Sequence, residues 1–444
     1  MIYQQHLFPR NLKKHYPVVD RAEGLYIWDQ QGKRYLDGSG GACVISIGHG
    51  VKEIQEAMIE QSSKVSFIHS SHFQSDAANE CADLLVEMTA DEDTGKVYFL
   101  SGGSEAVETA VKLVRQYFRE SGKPDKSKII SRWSSFHGNT TGALALGGHT
   151  SRKHPYLPLL LYTPHIETCY CYRCGLGQKP ETCNLECANQ LERSILHEGP
   201  ENVAAFISEP VIGATAGAVV PKEGYFKKIR EICDTYDVKL IADEVMTGVG
   251  RTGKNFCMDH WEVTPDVTVV AKGLSSGYTP LGAIIVKDEI YDMLKAHSGV
   301  FIHGHTYCQN PLSVAIGAAV LKYIKANNLV DRSAAMGAYL LDKLHDLKDI
   351  DIVGDIRGLG LFAGIEFVKD KKTKAWFDRK LKVNEKIASD CFKNGLITYP
   401  GGGGIDGFHG DHILLAPPFI ITEEEIDEMV DMLEKSILKI QKTL

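Results

Sequence analysis

Short apolar runs alternate along this chain with stretches in which apolar residues recur every three or four positions. Residues 24–37, GLYIWDQQGKRYLD, predict two short strands around a polar turn that contains Gly32. KVYFL (96–100) predicts a strand. From Ser104 to Arg119 the apolar residues Ala106, Ala110, Val111, Val114 and Phe118 fall on one helix face. KIISRW (128–133) and VAAFIS (203–208) predict buried strands, and Tyr225 to Tyr236 predicts a helix leading into VKLIAD (238–243). DVTVVAK (266–272) and LGAIIV (281–286) follow as strands. Strand candidates separated by helices predict an α/β protein with a mostly parallel sheet covered on both faces. Beyond about residue 330 the pattern changes. A long helix, the segment IVGDIRGLGLFAGIEFV (352–368), a further helix and a last one from about Thr422 to Lys442 predict a smaller α+β unit.

The chain has 444 residues, enough for two or three domains. Its 43% hydrophobic and 24% charged content is that of an ordinary globular protein. A net charge of −8 argues against a nucleic-acid binder that neutralises a phosphate backbone. The N-terminus lacks the apolar core of a secretory signal, and the longest apolar stretch, 203–220, carries Glu209 and Pro210 in its middle. The expectation is a cytoplasmic protein with no membrane partner and with reduced thiols. Five of the eleven cysteines fall in CYCYRCGLGQKPETCNLEC (169–187). Their spacing fits a structural zinc site as well as a metal-free, cysteine-rich surface insertion.

In an open parallel sheet, ligands bind beyond the carboxyl ends of the strands, so the residues following each strand carry the candidate chemistry. Ser101, Gly102, Gly103, Ser104 and Glu105 follow the first and open a helix. They suit an anion cradle made of free backbone N–H groups, and equally a plain helix cap. Phe136 and His137 follow the second, where an aromatic can stack on a planar ligand. Glu209 ends the third. Asp243 and Glu244, then Val245, end the fourth, and carboxylates so buried need partners. Lys272 closes an apolar strand, where burial lowers a lysine's pKa and makes it the nucleophile a Schiff base requires; a lysine that snorkels to the surface is the simpler alternative. Taken together, these groups suit a flat, phosphorylated aldehyde, which points to pyridoxal 5′-phosphate.

IADEVMTGVGRTGKNF (241–256) and PDVTVVAKGLSSGYTPLGAII (265–285) resemble the class III, or ω-type, aminotransferases of the fold type I pyridoxal-phosphate enzymes. FLSGGSEAVETAVKLVRQY (99–117), FHGNTTGAL (136–144), ISEPV (207–211), FIHGHTYCQNPLSVA (301–315), IRGLGLFAGIEF (356–367) and APPFIIT (416–422) extend the resemblance over nearly the whole length. It implies a large cofactor domain (51–330) with a mostly parallel, seven-stranded sheet. A smaller α+β domain would be drawn from the N-terminal segment (1–50) and residues 331–444. It implies that Lys272 links to the cofactor and shuttles the substrate proton, and that Asp243 pairs with the pyridine nitrogen. Gly102, Gly103 and Ser104 would cradle the phosphate, Phe136 and Val245 would flank the ring, and His137 and Glu209 would lie beside it. Thr306 would contact a phosphate across a subunit boundary, so a homodimer, or a tetramer built from it, is expected. The resemblance favours a metal-free cysteine insertion.

The implied reaction is transamination from an amine or ω-amino acid to a 2-oxo acid such as pyruvate or 2-oxoglutarate. A racemase or epimerase, an aminomutase or a lyase would use the same lysine and aspartate. One departure concerns the substrate. Many relatives carry a carboxylate-binding arginine shortly before the PP dipeptide, but GGGGIDGFHGDHILLAPPF (401–419) contains none. Arg357 is a candidate replacement, with a purely structural arginine as the simpler alternative. A cationic substrate group facing Glu209 is the other expectation.

Overall fold

A computed structural model describes residues 6–444. Near the N-terminus, β1 (Val19–Glu23), β2 (Tyr26–Asp29) and β3 (Arg34–Asp37) form an antiparallel ribbon. The polar turn expected within 24–37 lies between β2 and β3 and contains Gly32, at φ +80°.

Next come β4 (Thr94–Leu100), β5 (Lys128–Arg132), β6 (His165–Ile166), β7 (Val203–Ser208), β8 (Lys239–Asp243), β9 (Val267–Val270) and β10 (Gly282–Lys287). They form one seven-stranded sheet in the order β4-β10-β9-β8-β7-β5-β6. β10 runs antiparallel to both neighbours, and the remaining pairs are parallel. All the strands predicted in this region are present. The two-residue edge strand β6 was not predicted, because a strand that short leaves no periodicity to read.

Alternation along the central strands supplies both faces of the sheet. Ala205 and Ile207 of β7 pack with Ala106, Ala110, Val114 and Phe118 of the helix Gly103–Glu120. Phe206, between them, points to the other face and packs with Phe226 and Ile229 of the helix Tyr225–Thr235. Each central strand is buried on both sides, which is why these segments read as continuous apolar runs.

Downstream, β11 (Val353–Gly358) and β12 (Ala363–Phe367) split the segment 352–368 into an antiparallel pair. β13 (Leu396–Ile397), β14 (Tyr399–Gly402) and β15 (Asp411–Leu415) follow. β14 and β15 complete a four-stranded sheet with β11 and β12. β13 instead pairs in parallel with β3, so segments from both ends of the chain share one sheet. The final helix, Glu423–Gln441, lies within the predicted span. Among the described residues, no helix is long and apolar enough to cross a membrane.

The cysteine-rich segment only partly matches a surface insertion. Cys169 is buried, and its sulfur accepts a hydrogen bond from Arg132 Nη1 at 3.1 Å. Cys171, Cys174, Cys183 and Cys187 are partly exposed, and all eleven cysteines are free thiols. Among the described residues no group of three or more His, Cys, Asp or Glu side chains is placed to hold a metal ion.

Candidate active site

The carboxyl ends of the parallel strands open into a cavity of ≈ 300 Å³. Gly102, Gly103, Ser104, Phe136, His137, Glu209, Asp243, Val245 and Lys272 all line it. Sequence positions spread over some 170 residues converge here because parallel strands deliver every βα loop to the same sheet edge.

β4 ends directly at the helix Gly103–Glu120, whose first-turn N–H groups have no partner within the helix. A Cβ on Gly103 would come within 3.1 Å of both Val245 methyls, and Gly102 has nothing within 4 Å on its own Cβ side. The two glycines therefore leave the helix terminus open to an anion, which its dipole also favours. Around the cradle, Glu105 accepts a bond from Ser101 N–H at 3.0 Å, and Ser104 Oγ accepts one from Asn139 N–H at 3.1 Å.

Asp243, at the end of β8, is buried beside His137, with Oδ2 2.7 Å from His137 Nδ1. A carboxylate can only accept, so Nδ1 carries the shared hydrogen. Oδ1 accepts from Val245 N–H at 3.2 Å. The aspartate is thus held in a fixed orientation on the cavity wall. His137 contributes the side-chain hydrogen bond to this carboxylate.

Glu209 is buried, and its neighbours differ from those expected. Oε1 accepts from Phe136 N–H at 3.0 Å and Oε2 from Gly213 N–H at 3.1 Å. Burial raises its pKa, and the negative Asp243 adds to the rise. Both oxygens accept from backbone N–H groups while the side chain still lines the cavity. The carboxylate ties the loop after β5 to the turn after β7.

Lys272 follows β9 with φ +44°, a left-handed conformation that non-glycine residues adopt at an energetic cost and that is concentrated at functional sites. Burial lowers its pKa below the ordinary lysine range, with partial opposition from Cys43, Asp243 and Glu209. An amine with a lowered pKa next to a fixed carboxylate and an anion cradle meets the requirements of pyridoxal 5′-phosphate. The three groups differ in kind and line one cavity: an amine suited to an aldehyde, a carboxylate suited to a ring nitrogen and a helix terminus suited to a phosphate.

Thr306 is exposed and does not line the cavity of its own chain. Arg357 is committed elsewhere. It pairs with Asp355 at 2.7 Å and Glu366 at 3.0 Å and donates to the Gly217 carbonyl at 2.8 Å. Val44, Ser275 and Thr279 also line the cavity and went unnoticed in the sequence. They come from loops with no strand-end signal, and only the fold brings them in.

The family description "Aminotransferase class-III" matches residues 7–437. Uncharacterized aminotransferase YodT of Bacillus subtilis is 40% identical over 99% of this chain and 99% of its own length. The putrescine–pyruvate aminotransferase of Pseudomonas aeruginosa is 36% identical over 95% of this chain and 92% of its own. Among solved structures, a transaminase from the marine bacterium Virgibacillus superposes with a TM-score of 0.92 at 35% identity, covering 99% of this chain and 98% of that one.

Proposed function

The chain belongs to the class III aminotransferases and is a pyridoxal-phosphate-dependent enzyme that transfers amino groups; from this premise we propose that its donor is an amine or ω-amino acid and its acceptor a 2-oxo acid such as pyruvate or 2-oxoglutarate. The observation that carries the site assignment is the convergence of Lys272, Asp243 and the Gly102–Ser104 helix terminus on one cavity.

Bound pyridoxal phosphate supplies an electron sink for a substrate carbanion. This chain's residues supply the rest. Gly102, Gly103 and Ser104 would hold the phosphate through backbone N–H groups. Asp243, oriented by His137, would hold the ring nitrogen, and Phe136 and Val245 would confine the ring. The Lys272 amine, neutral more readily than a surface lysine, would hold the aldehyde end of the cofactor and carry the substrate proton at its Nζ. Glu209 holds Phe136 in place through its backbone.

The working unit in this reading is a homodimer in which Thr306 serves the phosphate of the other copy's site. We place the enzyme in the cytoplasm, in keeping with its free thiols. Domain boundaries near residues 50 and 330 are part of the same reading.

The test is a screen of amines and ω-amino acids against purified holoenzyme, with pyruvate or 2-oxoglutarate as acceptor. The expected result is alanine or glutamate in equal amount to the donor consumed. Donor turnover that needs no acceptor would instead indicate a racemase, mutase or lyase.

A further inference from the structure

Two short helices, Thr141–Leu146 and Thr150–Lys153, follow the loop that carries Phe136, and the second carries Arg152. The Arg152 guanidinium carbon lies 4.6 Å from the centre of the Phe136 ring, and Phe136 lines the cavity. This contact is with an aromatic face. A guanidinium stacked on a ring keeps its in-plane N–H groups free to bind an anion.

Other arginines in this part of the molecule have fixed acceptors. Arg132 donates to Cys169 Sγ and to the Glu209 carbonyl. Arg251 donates to the carbonyls of Leu361 at 3.1 Å, Pro417 at 2.6 Å and Ile45 at 3.2 Å. Arg357 is held by Asp355 and Glu366. Among the described residues no ion pair joins Arg152 to Glu209, whose oxygens accept from the Phe136 and Gly213 N–H groups.

The glycine-rich segment around 401–410 explains why the cation comes from this helix. His149 Nε2 meets the Gly402 carbonyl at 2.8 Å, and Ser151 N–H donates to the Gly407 carbonyl at 3.2 Å. Gly407 has φ +87°, and a Cβ there would lie 2.5 Å from Thr150 Cβ. The segment packs so closely on 149–151 that position 407 has no room for a long side chain. Of the two cations on that helix, Lys153 donates to the Ala145 carbonyl at 2.9 Å, and Arg152 lies on the Phe136 ring. Its field reaches the cavity, where it opposes protonation of Lys272, and also reaches His149 and His412.

We propose that Arg152 receives the substrate carboxylate, in a charge-assisted bond formed beside the Phe136 ring while the reacting carbon faces Lys272. The proposal rests on the transaminase reading above. It gives this chain an anion-recognition residue on the helix after the Phe136 loop.

The experiment uses holoenzyme with Arg152→Gln and Arg152→Lys. Two acceptors of similar size are compared with one amine donor: pyruvate, which has a carboxylate, and propanal, which lacks one. In parallel, propionate binding is measured by calorimetry. In Arg152→Gln the KM for pyruvate should rise about 10- to 100-fold more than that for propanal, and propionate binding should weaken by a similar factor. Arg152→Lys should recover part of both, because it keeps the charge and loses the planar fork. Equal losses on both acceptors would reduce Arg152 to a support for Phe136 and overturn the proposal. Propionate binding that is unchanged by the substitution, or absent in the wild type, would overturn it too. If the wild type aminates neither acceptor, the transaminase reading fails, and the propionate titration still decides the role of Arg152.

Discussion

Lys272, Asp243, Phe136 and the glycine pair were legible one residue at a time, because each directly follows a run of apolar residues that has to be a buried strand. The partners of these residues were not. Glu209 invited a cationic ligand, yet it binds two backbone N–H groups from loops more than three residues away, and no local pattern announces that pairing. At this scale Lys272→Ala should lower the transamination rate at least about 10³-fold, measured by product formation at saturating substrates. Retention of full activity would remove Lys272 from its role.

His412 supplies a second prediction for a single residue. Burial drives its pKa down to about 3, and the positive Arg357 and His149 add to the effect. The unfolded chain takes up this proton near pH 6.5, while the folded protein resists it until far lower. The neutral histidine therefore contributes stability above pH 6.5 that is lost as pH falls toward 3. His412→Gln should flatten the decline, so that the variant loses about 2 kcal/mol less than the wild type between pH 6.5 and 4.5. Urea unfolding at several pH values measures this, and parallel curves would count against it.

Among the elements, helices were predicted best where capping and periodicity agree. The last helix begins with a capping box: Thr422 Oγ1 accepts from Glu425 N–H at 3.2 Å, and Glu425 returns a bond to Thr422 N–H at 3.0 Å. Thr422→Ala should destabilise the protein by about 1 kcal/mol, seen as a lower urea midpoint with an unchanged slope. The segment 401–410 shows the opposite case. Its glycines and histidine carry no period, and its shape follows from contact with His149, Thr150 and Ser151, far away in sequence.

For the whole molecule, the shared sheet of β3 and β13 ties the two chain ends together, and the exposed Thr306 fits a site completed by a second copy. Mixing inactive Lys272→Ala subunits with inactive Thr306→Glu subunits tests the shared site. Random reassociation should restore about a quarter of wild-type activity, because half of the dimers then carry one intact site. No recovery after proven exchange would argue that each subunit is complete alone. The sequence by itself determined the α/β class, the strand ends that carry the chemistry and the cofactor they suit, since alternation of apolar runs and the residues closing them are local properties. Only the tertiary structure decided that Glu209 ties two loops together through their backbone, that Arg357 is locked in ion pairs and that Arg152 stacks on Phe136. Those outcomes depend on which loops meet across a parallel sheet, and that meeting is a matter of packing between segments remote in sequence.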